Sequence, residues 1–286
     1  MPRILIAGCG YVGEATADLF HRAGWTVQGW THSPESAAKL RRKRYPVIAL
    51  DISDTHKVGA CPENFDAVIH CASTRGGDAD LYRRAYLDGA RTLLDRFVGS
   101  TFVFTSSTSV YAQRDGSWVT EESETNPTRE TSRILLETEE LVLGRGGIVA
   151  RLAGIYGPGR SALLKKSMDG EVTIDPENDR FVNQAHRDDI AAALFFLVNR
   201  QPPVRGIYNV ADSQPILQSE CYRWLAKKLN RPLPPFGRST SAFKRGASNK
   251  RVSNAKLRQL GWSPQYPSFA EAMEKSILPS FANLAV

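Results

Sequence analysis

Short apolar runs recur along the first half of the chain, each followed by a longer amphipathic or polar stretch. Ile4-Leu5-Ile6-Ala7, the stretch 26–31, Pro46-Val47-Ile48-Ala49-Leu50, the stretch 66–73, Thr101-Phe102-Val103-Phe104-Thr105 and Gly147-Ile148-Val149-Ala150-Arg151-Leu152 read as six strands. Their near-continuous apolar character suits strands covered on both faces. Helices are expected between them. One spans 12–23 with Val12, Ala15, Leu19 and Ala23 on one face; another spans 34–43, with Ser33 as N-cap and Pro34 at its first position; two more span 79–97 and 130–143. Strands alternating with helices predict an α/β fold with a doubly wound parallel sheet. After Gly154 the rhythm changes. Helices are expected near 162–168, 189–198, 217–229 and 269–277, and Gly206-Ile207-Tyr208-Asn209-Val210 reads as one more strand. The expected division is a sheet domain over 1–153, rejoined by 181–212, and a smaller C-terminal lobe over 154–180 and 213–286.

The first strand runs into Gly8-Cys9-Gly10-Tyr11-Val12-Gly13, a G-x-G-x-x-G pattern between a strand and a helix. Gly8 permits a tight turn, Gly10 leaves room for a pyrophosphate against the backbone, and Gly13 lets helix and strand pack closely. The helix N-terminus presents free N–H groups and a positive dipole end to the phosphates. This sets the expectation of a Rossmann dinucleotide-binding fold, with the C-terminal lobe holding a small-molecule substrate. Ligands of such folds sit beyond the carboxyl ends of the strands. Residues 8–13, 31–33, 51, 71–73, 105–107 and 152–155 fall there.

The net charge of +7 is basic, and its densest cluster is Lys39, Arg41, Arg42, Lys43 and Arg44. At the end of the second expected helix these cations complement the dipole, and no aromatic residues interleave to stack bases. No nucleic-acid partner is expected. Cys9, Cys61, Cys71 and Cys221 lack disulfide or metal spacing. No apolar run is long enough to span a bilayer, and no targeting segment is visible. A cytoplasmic protein with reduced thiols and no membrane partner is the expectation.

With these pieces in place the chain resembles the extended short-chain dehydrogenase/reductases, in particular the NAD-dependent epimerase/dehydratase family. The resemblance covers nearly the whole length. It rests on the glycine motif, Leu50-Asp51-Ile52, Val68-Ile69-His70-Cys71-Ala72, Thr105-Ser106-Ser107-Thr108-Ser109-Val110-Tyr111, Arg151-Leu152-Ala153-Gly154-Ile155-Tyr156-Gly157-Pro158-Gly159, His186-Arg187-Asp188-Asp189 and Tyr208-Asn209-Val210. It implies that Gly8, Gly10, Tyr11, Val12 and Gly13 cradle the cofactor's phosphates, and that Asp51 with Ile52 receives the adenine. Cys71, Ala72, Ser73, Thr105, Ser106 and Leu152 would line the cofactor. Ser107 would hold the substrate's reacting oxygen as a catalytic residue. It also implies a homodimer through the helices over 79–97 and 130–143.

Two departures stand out. The family's first glycine falls at Ala7, which resembles an atypical subgroup. The family's Tyr-x-x-x-Lys pair, placed by Glu137, falls on Arg129 and Arg133. Arginine stays protonated, so neither serves as the base that tyrosine provides. Arg133 is the candidate to take over the lysine's contact with the nicotinamide ribose. Alternatively it forms a surface pair with Glu137. Tyr111, Tyr156 and His186 are replacement acid–base candidates. NAD selection normally uses a carboxylate at the end of the second strand. Here that position is near Thr31, followed by His32 and Ser33, so the expected cofactor is NADP in preference to NAD. The functional expectation is an oxidoreductase or epimerase-like enzyme acting on a hydroxyl-bearing, sugar-nucleotide-like molecule. A non-catalytic NADP(H) sensor is the alternative.

Overall fold

Seven of the apolar runs pair into one parallel sheet. In chain order its strands are β1 (Arg3–Ala7), β2 (Thr26–Thr31), β3 (Val47–Ala49), β4 (Ala67–His70), β5 (Thr101–Ser107), β6 (Ile148–Leu152) and β7 (Gly206–Val210). Their order in space is β7-β6-β5-β4-β1-β2-β3. The computed structural model describes residues 1–61, 64–74, 76–238 and 248–282. Ile4, Leu5, Ile6, Ala7, Ala67, Val68 and Ile69 are fully buried, which is the covering on both faces that their unbroken apolar runs require. The chain order reverses between β1 and β4, where Ala7 lies opposite His70. The residues that leave these two strands therefore meet at the switch point of the sheet.

The helices of this unit are α1 (Tyr11–Arg22), α2 (Pro34–Lys39), α3 (Thr55–Gly59), α4 (Ala79–Tyr82), α5 (Gly89–Arg96), α6 (Glu130–Gly144) and α7 (Arg187–Asn199). Residues Arg83–Asp88 form a π-helical turn between α4 and α5. Two expectations are corrected. On α1 the buried face is Val12, Gly13, Thr16, Ala17 and Phe20, not the stripe through Ala15 and Leu19. The helix is buried on its sheet side and also against α7, where Phe20 meets Phe195 with ring centroids 4.9 Å apart. Second, α2 stops at Lys39, the first residue of the basic cluster, and leaves the other four cations beyond its end. Ser33 caps it as expected, accepting a hydrogen bond from Ser36 N. Lys43 reaches instead to Glu14 at 2.6 Å and Asp18 at 2.7 Å on α1, so part of the cluster ties α1 in place.

Under α6 lies a buried ion pair that the apolar pattern hides. Arg151, in the middle of β6, donates to Glu139 on α6 through Nε at 3.1 Å and through Nη2 at 2.6 Å. Ser106 Oγ donates to Glu139 Oε1 at 2.5 Å. Both charged side chains are almost completely shielded from water.

The chain divides into two compact units. Unit 1 is Met1–Val110, Thr125–Leu152 and Arg187–Val210; unit 2 is Tyr111–Glu124, Ala153–His186 and Ala211–Val286. Relative to the sequence reading, 111–124, 153, 181–186 and 211–212 move to unit 2. The reason is strand pairing: Trp118–Val119 pairs with Arg251–Val252, and Gln184–His186 pairs with Gly154–Tyr156. Unit 2 has its own core, which includes Tyr156, Leu164, Ile174, Cys221, Leu225, Phe269, Met273 and Ile277. Among the described residues no helix is long and apolar enough to cross a membrane.

Candidate dinucleotide site and its surroundings

The glycine turn is built by three different constraints. Gly8 has φ +102°, and a Cβ there would stand 2.2 Å from Ala72 N and 2.4 Å from Ala72 Cα. A Cβ on Gly13 would stand 2.2 Å from Gly8 O and 3.0 Å from Cys71 Sγ. The fold itself therefore demands these two glycines, because the turn after β1 is pressed against the chain leaving β4. Cys71 N donates to Ala7 O at 2.8 Å and Cys71 Sγ to Gly8 O at 3.3 Å, which knits the two exits together. Gly10 differs. Its φ is −102°, and a Cβ there would meet nothing within 4 Å. Nothing in the protein requires glycine at this position, and the space beside it is open. Gly10 supplies no side-chain cap to α1, which leaves the helix start without a built-in acceptor. Tyr11 and Val12 open that helix, with Val12 buried.

A second group forms where β2 and β3 end. Asp51 Oδ1 accepts from Ser53 N at 3.0 Å and Ser53 Oγ at 2.8 Å. Arg84 Nη2 lies 3.2 Å and His32 Nδ1 3.9 Å from Asp51 Oδ2. Burial alone would raise the Asp51 carboxyl, but the Ser53 hydrogen bonds, with His32 and Arg84 beside it, hold it below the usual carboxylate range. Arg84 sits in the π-helical turn and was not foreseen, since no motif marks it. Ile52 is buried beside this group. Thr31 Oγ1 donates to Ser33 O at 3.2 Å. Ser33 itself caps α2.

The serine-rich strand end divides its side chains between two faces. Thr105 Oγ1 donates to His70 O at 3.2 Å, and Ser107 Oγ, half-buried, accepts from Ser109 N at 3.1 Å. Ser106, expected among the cofactor contacts, points its hydroxyl to Glu139 on the opposite side, because alternate strand residues face opposite ways. Leu152 ends β6 and is buried, Ala72 packs on Gly8, and Ser73 hydrogen-bonds the Tyr86 phenol.

The expected surface pair between Arg133 and Glu137 does not form. Glu137 accepts instead from Arg83 at 2.9 Å. Arg133 turns back along the start of α6 and donates from Nε to Pro127 O at 3.3 Å and from Nη2 to Thr128 O at 3.1 Å. Burial pushes the Cys9 thiol up to about 12 and the Cys71 thiol higher still, so neither is a thiolate at neutral pH.

Unit 2 holds the other titratable candidates. Tyr111, Tyr156 and His186 are fully buried. His186 Nε2 lies 3.0 Å from Ser276 Oγ, and its ring centroid is 4.1 Å from that of Tyr266. Lys250, which no motif flagged, is buried with its ammonium donating to Tyr111 O at 3.0 Å. Asn183 Nδ2 donates to Lys250 O at 2.8 Å, and the side chain of the preceding residue, Asn249, accepts from Phe181 N at 3.0 Å. Burial first, and then the charge of Arg180, pull the Lys250 pKa from 10.5 down to about 8. An unfolded lysine keeps its proton up to its ordinary pKa, so unfolding takes up a proton across this window and stability rises with pH through it. Lys250→Met is expected to remove that rise. It is also expected to stabilise the fold at pH 7 by about 2 kcal/mol, the relieved desolvation less one hydrogen bond. Urea unfolding of both proteins at pH 7 and pH 10 checks this; a less stable Lys250→Met at pH 7 would contradict it.

The model of the NAD dependent epimerase/dehydratase family matches residues 4–211. The chain is 28% identical to Protein YeeZ of Escherichia coli K12 over 280 residues, covering 93% of this chain and 97% of that one. Among solved structures it is similar to a Methylobacillus flagellatus protein assigned to the NAD-dependent epimerases/dehydratases. The TM-score is 0.80 at 26% identity, with 98% of this chain and 99% of that chain covered. It shares its fold with MoeE5, solved with UDP-glucose and NAD, at a TM-score of 0.83 and 19% identity over 99% of this chain and 100% of that one.

Proposed function

Because this chain belongs to the NAD dependent epimerase/dehydratase family, we propose that it is a nicotinamide-dinucleotide enzyme of the oxidoreductase or epimerase type, whose substrate is a hydroxyl-bearing, sugar-nucleotide-like molecule. The observation that carries this reading is the empty space at Gly10, the one motif glycine for which the packing has no use. The residues fit the group. Gly8, Gly10 and Gly13 with the first turn of α1 would hold the phosphates. Asp51 and Ile52 would take the adenine, with Cys71, Ala72, Ser73, Thr105 and Leu152 along the cofactor. When bound, the nicotinamide would supply or accept a hydride. Ser107, whose hydroxyl proton is uncommitted to the Ser109 N–H it accepts from, would orient a substrate oxygen.

The cofactor preferred is NADP. The residue that ends β2, Thr31, is not an acid, and the exposed His32 imidazole and Arg84 guanidinium flank Asp51, where they would donate to a 2′-phosphate. Fluorescence titration with NADPH and NADH tests both statements. The expected result is binding of both, about tenfold tighter for NADPH. Binding of neither would overturn the reading, and tighter NADH binding would overturn the preference.

A sensor without turnover is the second reading. It is favoured by Arg133, the residue that the sequence resemblance sets in the lysine's place, whose guanidinium holds the carbonyls of Pro127 and Thr128. A substrate screen that yields turnover sensitive to Ser107→Ala would exclude it.

A further inference from the structure

Arg187 stands in the motif His186-Arg187-Asp188-Asp189, where the family resemblance gave it no role. It is the first residue of α7, and its guanidinium lies 5.1 Å from the centroid of the Tyr11 ring. Tyr11 is the first residue of α1 and follows Gly10, beside which the space is open. Arg187 Nε donates to Asp188 Oδ1 at 2.9 Å. Among the described residues, neither of its Nη groups has a protein acceptor. The side chain is 27% exposed, so these donors are within reach of a ligand.

The placement is electrostatically unfavourable for the protein alone. A cation belongs at a helix C-terminus, yet this one lies at the N-terminal, positive ends of two helices at once. Compensation is partial. Asp188 pairs with Nε and the buried Asp189 also stands in the first turn of α7, while Glu14, the acid in the first turn of α1, is engaged by Lys43 at 2.6 Å. An anion beside Gly10 would resolve the conflict. Arginine's forked donors suit two phosphate oxygens, and the cation–π contact with Tyr11 steadies the guanidinium at its place.

We propose that Arg187 is a cofactor-binding residue, closing over Tyr11 to hold the dinucleotide's pyrophosphate with its Nη groups. This rests on the dinucleotide reading above. It adds a side-chain cation to a phosphate site otherwise made of backbone N–H groups.

The test uses the full chain and three probes: NADPH, ADP-ribose, which carries the pyrophosphate, and 2′-AMP, which lacks it. Arg187→Gln is expected to weaken NADPH and ADP-ribose between tenfold and a hundredfold and to leave 2′-AMP within about twofold. The salt dependence of NADPH binding should become shallower, because one phosphate contact is lost. Arg187→Lys should recover part of the affinity as a point charge. Without cofactor, the melting temperature of Arg187→Gln should equal or exceed that of the wild type, since an unfavourable cation has been removed. NADPH binding equal in wild type and Arg187→Gln would overturn the role of Arg187 while leaving the dinucleotide reading intact. Equal weakening of all three probes would overturn it as well, as the mark of a distorted site. Failure of the wild type to bind any probe would overturn both.

Discussion

Gly8→Ala is expected to lose roughly 2–6 kcal/mol of stability, whereas Gly10→Val keeps its packing and loses the dinucleotide. The two glycines lie two residues apart in one motif, and the structure separates them. At Gly8 the backbone has φ +102°, which costs a residue with a Cβ on the order of 1–3 kcal/mol. The added carbon would also overlap Ala72 N at 2.2 Å. That neighbour is backbone, held by the Cys71 N to Ala7 O bond at the centre of the sheet, and it has nowhere to move. Overpacking of this kind adds about 1–3 kcal/mol. The sum, roughly 2–6 kcal/mol, is a large share of the 5–15 kcal/mol that holds a typical domain. At Gly10 φ is negative, at −102°, and an added Cβ would meet nothing within 4 Å, so the packing does not oppose a side chain there. The methyl groups of a valine then occupy the volume that a pyrophosphate needs. Urea unfolding and NADPH titration of both variants give the comparison. A Gly10→Val that binds NADPH normally would remove the main support for the dinucleotide reading. A fully stable Gly8→Ala would contradict the packing argument.

Glu139→Leu is expected to lose about 3–5 kcal/mol, and Glu139→Leu combined with Arg151→Met to regain much of that loss. In the single variant Arg151 keeps its charge inside unit 1 without the carboxylate that accepts its Nε and Nη2. Ser106 loses its acceptor at the same time. In the double variant no charge remains to be desolvated, and the two apolar side chains fill a similar volume. The coupling between the two positions should therefore be strongly non-additive, measured as a double-mutant cycle in urea. Additive losses would show that the pair does not act as a unit.

These two cases also mark where the sequence was legible. The glycine motif was read from spacing alone, because strand, turn and helix are local and their chemistry is carried by consecutive residues. The boundaries of β2 and β7, the Ser33 cap and the parallel sheet followed from periodicity for the same reason. The buried pair was not legible, since an arginine within an apolar strand and a glutamate on a helix carry no sign that they face each other. Arg133 shows the converse. Its distance from Glu137 suggested a helical pair, but Arg83 from another helix takes Glu137 and the nearby carbonyls take Arg133.

Lys250 and Arg187 were missed for a physical reason. A lysine's pKa depends on how deeply it is buried and on which charges lie near it, and an arginine's role depends on which of its donors are already taken. Both are properties of surroundings assembled from distant parts of the chain. The sequence by itself determined the family, the alternation of strands and helices, and the turn at which a dinucleotide would lie. Those are written in short-range pattern, in which each residue's preference needs only its neighbours. Only the tertiary structure decided which glycine serves the fold and which leaves room for a ligand. It alone also decided which charges neutralise each other and which keep free donors, because space and electric field at a point are set by every segment that comes near it.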